Sequence, residues 1–534
     1  MAIAAMMFFA ADSYSQEPEV EVKIGSWASF MKPKVHGAPA LPLDDRAYRT
    51  VLRLVSRGEL PLLKLGNRPL ALTAELEMAL NEASPVEPGL LKYIPRWMSG
   101  KNLLSSERGW HLYSYQLADG SYFDFDPRFS VRFDNGDGRT IMRRGSGIQF
   151  RGRFKELFGY SFRFEDRTER GGGPYTSRSQ LLEDHYGYVG PFRGGDEVYY
   201  DATEAYLNWA NNWIDLTFGK DHIAWGPGRG TNLLFSGNSP SFTQFRARLQ
   251  LTSSTQFTYL LGQLQPSTDI LSDSLYRTGQ GWTRYTLEPK WVVAHRLEYA
   301  VTKNCVIAIN EAVIWGERGL DPSYLNPLGF FYSAQHDGGD RDNILMAGDF
   351  VYRFASSRLF YGEVLIDDLK TSQIGKGDVG NRIGWLCGVY SSDLGLGTLE
   401  GGIEYTRLEP FVYSHFFPIN RFSTWNSSLG ADIHPNSDQW EGTLGFRPLS
   451  NLNIQAEANL NQHGSVGGEI GEAIPPNSSE PVYFLDEIRE RWWGWGVEAE
   501  WEPLPGGVLS LGTIRGAKQS AIADRWYISV GYRI

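Results

Sequence analysis

Arg525 to Ile534 read RWYISVGYRI. Trp526, Ile528, Val530, Tyr532 and Ile534 are apolar or aromatic, whereas Tyr527, Ser529, Gly531 and Arg533 between them are polar or small. Side chains alternate across a strand, so one face of this segment suits lipid and the other suits water. A strand in an aqueous sandwich can alternate in the same way. It rarely places aromatics at both ends of its apolar face and then stops on the last residue. The segment therefore reads as the final strand of a membrane barrel. Barrel-assembly machinery recognises terminal strands of this kind, and here Ile534 stands where Phe is commoner.

The two-residue period extends upstream to about residue 121. It predicts about eighteen strands long enough to cross a membrane at a tilt. They lie near 121–133, 139–153, 157–166, 197–210, 212–220, 242–252, 255–264, 290–301 and 304–315, and then near 343–355, 357–366, 380–391, 396–406, 438–447, 450–461, 491–502, 505–515 and 524–534. Leu452, Ile454, Ala456, Ala458 and Leu460 alternate cleanly with Asn453, Gln455, Glu457 and Asn459. Short links near 154–156, 211, 253–254, 302–303, 356, 392–395, 448–449 and 503–504 alternate with generally longer ones. Outer-membrane barrels sort their connections this way, with tight periplasmic turns and long outer loops. Asp134-Asn135-Gly136-Asp137-Gly138 reads as turn chemistry between two strands.

Composition agrees. The chain has 534 residues, of which 42% are hydrophobic, and its mean hydropathy is −0.33. No apolar run approaches the roughly 20 residues of a spanning helix. Aromatics make up 14% and there are 59 glycines, as aromatic girdles and close strand packing require. A net charge of −11 without a basic run argues against a nucleic-acid partner. Two cysteines, Cys305 and Cys387, make neither a disulfide framework nor a metal set. They are expected on strands three apart, about 14 Å at ~4.8 Å per strand, and so reduced.

Residues 1–15 read as a signal peptide: AIAAMMFFAA is followed by Ser13-Tyr14-Ser15. No Lys or Arg precedes the apolar run, so the true start is left open. Residues 16–110 are expected to form a periplasmic helical plug and 111–534 the barrel. In the plug, Tyr48, Val51, Leu52 and Val55 fall at helical spacing between an expected Asp44 cap and Gly58, a C-terminal stop. Leu72, Leu76 and Leu80 share the face of a second helix over 71–83. Neither helix is long enough to be stable alone. Together they are expected to cap the periplasmic mouth, burying Val51, Leu52, Leu72 and Leu76 and turning Arg46, Arg49 and Arg53 toward acidic wall residues. Pro85 and Pro88 break the chain before Leu90–Met98, a stretch of undetermined form.

Asp221–Ser241, DHIAWGPGRGTNLLFSGNSPS, resembles the WGPG-containing loop of the Wzi capsule-assembly family of outer-membrane proteins. Three other stretches carry the resemblance: LPLDDRAYRTVLRLVSRGELP at 41–61, YLNPLGFFYSAQHDGGDRDNILMAGDF at 324–350 and YGEVLIDDL at 361–369. The resemblance implies an eighteen-stranded barrel in the outer membrane of a Gram-negative-type cell and a periplasmic helical plug. It also implies a non-enzymatic surface role in binding exported capsular polysaccharide, without a cofactor.

Anionic sugars present CH faces that stack on aromatics and carboxylates that match the arginine fork. Loops carrying Tyr186, Tyr188, Arg193, Trp225, Arg229, Trp282, Tyr324, Tyr332 and Arg341 are the candidate sites. For Trp225 and Arg229 the alternative is a loop that folds into the lumen and braces it by hydrogen bonds. Strand alternation turns Arg143, Arg151, Arg153, Arg163, Arg246 and Arg248 inward, and likewise Glu400, Glu404, Glu441, Glu457, Glu498 and Glu500. Such facing ladders either polarise a pore or pair with each other and the plug. Asp337, Asp340 and Asp342 offer clustered carboxylates, but their spacing fixes no calcium geometry, and no metal is assigned. Neither a GxSxG elbow nor an HExxH pair is present. The leading expectation is a surface lectin, the alternative is a solute channel of the same architecture, and an outer-membrane hydrolase is a distant third.

Overall fold

The computed structural model describes residues 37–83, 103–105, 111–155, 157–176, 180–182, 187, 189, 194–267, 275–277, 283–285, 288–369, 381–475, 481–504, 506–516 and 523–532. The leader, Leu90–Met98, Tyr186, Tyr188, Arg193, Trp282 and Ile534 lie outside the described residues. Among those residues, twenty strands form one closed sheet. Two short ones, Leu103–Ser105 and His111–Gln116, sit at the periplasmic rim. The other eighteen form the wall, from Tyr122–Gly136 to Arg525–Tyr532, each antiparallel to its neighbours.

Closure is made by the segment that opened the sequence reading. Its residues pair with the first wall strand from Tyr532↔Phe129 to Trp526↔Asn135. Trp526, Ile528 and Val530 are exposed beside Phe129, Val131 and Phe133, which gives the lipid-facing seam. Below the point where the last strand stops, the rim strand pairs with Tyr122–Phe125 and continues the wall. All eighteen expected segments overlap observed strands, and Glu197–Ala210, Thr255–Leu264 and Asn343–Ala355 coincide with the expected bounds. Cys305 and Cys387 are free and stand three strands apart.

A barrel of this size is too wide for its wall side chains to fill. Helices α1 (Ala47–Arg57) and α2 (Ala74–Ala83) occupy the periplasmic side. Val51, Leu54, Val55, Leu72 and Leu76 are buried, and Leu52 packs at their edge. The expected Asp44 cap is corrected by the geometry: Asp45 accepts the Ala47 N–H at 2.8 Å, while Asp44 reaches the wall and accepts from Arg163 at 2.8 Å. At the other end, Gly58 takes the left-handed conformation that stops a helix. Arg353 of the wall donates to the Val55 carbonyl at 2.7 Å, adding a second donor to one that already accepts the Gly58 N–H at 3.1 Å.

Ionic contacts fix the plug to other wall strands. Arg46 and Arg49 both reach Glu500, at 3.0 and 3.1 Å, and Arg53 lies 3.6 Å from Glu400. One apolar core runs the height of the lumen. It joins Val51 and Leu72 of the plug to Trp225, Leu233 and Phe235 of loop 222–241, to Val412, Tyr413 and Phe422 of loop 409–436, and to wall residues such as Leu260 and Leu345. The lumen on this side is filled from both ends. In planar bilayers the intact protein is therefore expected to conduct poorly, and large, stable openings would contradict this packing.

Candidate functional site

Trp225 to Arg229 lie inside the barrel. Trp225 pairs with Asn67 of the plug in a short antiparallel ladder. It is 1% exposed, and the edge of Phe235 packs against it at 5.1 Å between ring centres. Gly226 has φ +126°, and a side chain there would collide with Glu363 and Asn232. The turn points its backbone N–H groups at two buried wall carboxylates. Gly228 and Leu233 donate to Glu363 at 3.2 and 2.7 Å, and Arg229 and Gly230 donate to Glu404 at 2.8 and 3.2 Å. This is a backbone nest whose acceptors belong to the protein itself. The Arg229 guanidinium lies over the Tyr390 ring at 4.4 Å and donates to Thr443 at 3.0 Å. The bracing alternative describes this loop. Trp225 offers no face to an external sugar because it is buried, and the guanidinium of the half-buried Arg229 is engaged by Tyr390 and Thr443.

The inward charges behave similarly. Arg163 pairs with Asp44 and Glu204, Arg143 with Asp134, and Arg248 donates to Asn67 and the Pro69 carbonyl. Arg153 lies over Tyr122, Arg246 is buried, and Glu441 abuts Gly230. Glu457 lies beside Gly496. Arg151 and Glu498 line a chamber of about 750 Å³ between α1 and the wall.

Loop 317–342 carries three of the candidate residues. Tyr324 is 1% exposed and donates to Asp342 at 2.7 Å, so it too is unavailable for stacking. Asp342 also holds Arg318 at 2.6 Å, which accounts for one of the three clustered aspartates. Arg341 is exposed. Its carbonyl accepts from Asn420 at 2.9 Å, which ties this loop to loop 409–436. There Phe416 and Phe417 stand 58% and 50% exposed above the buried Phe411, Val412 and Tyr413. Burial pushes the His415 imidazole down to about 4, and Arg382 adds to the effect. The ring is neutral, and its Nδ1 accepts the Phe417 N–H at 3.1 Å. Two adjacent phenylalanines thus form a fixed aromatic ledge on the outer face, with Arg341 on the loop bonded to it.

The family model for capsule assembly protein Wzi matches residues 128–418, over half of the chain. The chain belongs to the Wzi family. It is similar in fold to Wzi from Escherichia coli, described as an outer-membrane, carbohydrate-binding β-barrel involved in group 1 capsule assembly. That similarity has a TM-score of 0.56 at 13% identity and covers 93% of this chain and 100% of the other. OprD and OccK1 from Pseudomonas aeruginosa align with TM-scores of 0.39 and 0.44 at 13% and 9% identity. They cover 79% and 77% of this chain and 97% and 98% of theirs. No curated protein matches the sequence.

In this Wzi-family chain the sequence reading missed Phe416, Phe417 and Glu363. The signal for the first two was present as two neighbouring aromatics in a long outer loop, where burial does not require them. Glu363 gave no such signal, since its partners are backbone groups more than a hundred residues away. Replacing Glu404 by Ala leaves the Arg229 and Gly230 N–H groups and the Tyr361 hydroxyl without their acceptor. That should destabilise the folded barrel by about 1–3 kcal/mol, with Glu404→Gln milder. Heat-modifiability in gel shifts measures this, and an unchanged transition for Glu404→Ala would show that these hydrogen bonds do not hold the folded barrel together.

Proposed function

We propose that this outer-membrane chain binds capsular polysaccharide at the cell surface without altering it chemically, and so holds exported polymer on the cell. The observation that carries this reading is the aromatic ledge Phe416–Phe417 on a loop bonded to the one bearing Arg341. Two rings held by a packed loop base offer stacking faces for sugar CH groups, and an exposed guanidinium on the loop bonded to theirs suits a uronic carboxylate. Family membership and the carbohydrate binding described for the Escherichia coli protein support the same ligand class. A solute channel is the weaker reading, because apolar core occupies one side of the lumen from the plug to the outer loops. Insertion through the barrel-assembly machinery, guided by the C-terminal strand, belongs to the same proposal.

Each contact is weak, and the polymer repeats its units, so binding should depend on multivalency. Purified protein should retain the capsular polysaccharide of the source strain on an affinity surface. The double variant Phe416→Ala, Phe417→Ala should lose about tenfold in apparent affinity, or ~1.4 kcal/mol. Arg341→Gln should weaken binding chiefly at low salt. Equal retention by the double variant would refute the ledge, and no retention by the unaltered protein would refute the function.

A further inference from the structure

Loop 317–342 departs in direction from loops 222–241 and 409–436, which pack into the lumen. Along Cys305–Gly316 the inward face carries Ala308, Asn310 and Ala312, with Asn310 bonded to Arg296 inside the lumen. The outward face therefore carries Ile307, Ile309, Glu311, Val313 and Trp315. Ile307 and Ile309 are 44% and 52% exposed, as lipid-facing residues should be. From Glu311 upward the alternation stops, and both faces are buried. The material covering the outside is the loop itself: Tyr324 and Phe331 pack with outward-facing Tyr259, Val293, Val313 and Ile344 in a cluster separate from the lumen core.

Beneath this cover lies a histidine–glutamate contact on the lipid-facing side. His295 and Glu311 approach to 3.0 Å, and the Glu311 carboxylate accepts the Phe331 and Tyr332 N–H groups at 3.0 and 2.8 Å. His295 also stacks on Phe331 at 4.5 Å. At about 3.3 Å per residue and a tilt of about 40°, Val313 stands roughly 20 Å above Cys305, within an apolar band ~25 Å tall. A bare carboxyl group at that depth is costly, and the loop removes it from hydrocarbon. The loop itself exposes an apolar group, with Leu325, Leu328, Phe330 and Tyr332 exposed at 38%, 85%, 53% and 44%, while polar residues such as Asp337 and Asp340 are exposed farther along it.

We propose that loop 317–342, with its short helix α3 (Phe331–Asp337), is a membrane-contact element. It is folded over the outside of the barrel, with Leu325, Leu328, Phe330 and Tyr332 set into the outer leaflet at the boundary between acyl chains and headgroups. The lipid surface is the occupant because the patch continues the lipid-facing wall formed below it by Ile307 and Ile309. The element widens the hydrophobic belt on one side of the barrel. It makes Tyr332 a lipid anchor of the kind found at membrane interfaces. This inference does not rest on the polysaccharide reading.

The test is fluorescence quenching in liposomes. A nitrobenzoxadiazole label is placed on Leu328→Cys, on Phe330→Cys or, as a control in a periplasmic turn, on Lys303→Cys, each in a Cys305→Ser, Cys387→Ser background. Heat-modifiability selects folded material for every variant. Labels at 328 and 330 should emit blue-shifted light and lose most of it to lipids carrying a nitroxide near the acyl carbonyl. Iodide in the buffer should quench them less than it quenches the label at 303. Strong iodide quenching with no lipid quenching would overturn the proposal by placing the loop in water. Protection from both quenchers would overturn it in favour of a second chain covering the patch.

Discussion

In hydrocarbon an unpaired peptide group has no water to turn to, so the sheet must have no edge. The pairing of Trp526–Tyr532 with Phe129–Asn135 removes the edge, and most of the remaining architecture follows from it. Eighteen closed strands enclose a lumen wider than their side chains can span. A chain that closes this wall must therefore supply something to put inside it.

The filling comes from both ends and obeys the same rule about polar groups. From the periplasmic side, α1 brings arginines to Glu500 and Glu400 and receives Arg353 on its last carbonyls. From the outer side, the glycine-rich turn brings backbone donors to Glu363 and Glu404. In each case one partner is a side chain fixed on a rigid strand and the other belongs to a segment that enters the lumen. Carboxylates buried in a barrel would be costly if left alone, and loops with unpaired N–H groups would be equally so. Each satisfies the other. The outer loops gain rigid bases in this way, and a rigid base lets exposed rings such as Phe416 and Phe417 bind without a large ordering cost.

Loop 317–342 answers a different problem. A histidine and a glutamate occur on the lipid-facing side of the wall, where alternation calls for apolar residues, and the loop folds outward to seal them. That placement separates two aromatic surfaces that look alike in sequence. Rings at 416 and 417 stand over the filled lumen, whereas those at 330 and 332 flank the barrel.

How much of this was legible in the chain depended on how local the physics is. Strand number, the sorting of short and long connections, the closing strand and the helical plug were readable, because a two-residue or 3.6-residue period is imposed by nearest neighbours along the chain and by one apolar solvent. The faces assigned to Glu400, Glu404 and Glu500 followed from the same parity. The targets of those faces did not. Whether Trp225 faced a sugar or the lumen, whether Tyr324 was exposed, and on which side of the wall loop 317–342 lay were decided by partners 18 to 175 residues away. Alternation tells a side chain which way to point from its own strand. Only the closed sheet determines what it meets there, since a loop's hydrogen-bonding groups go to whichever buried acceptors the fold brings within reach.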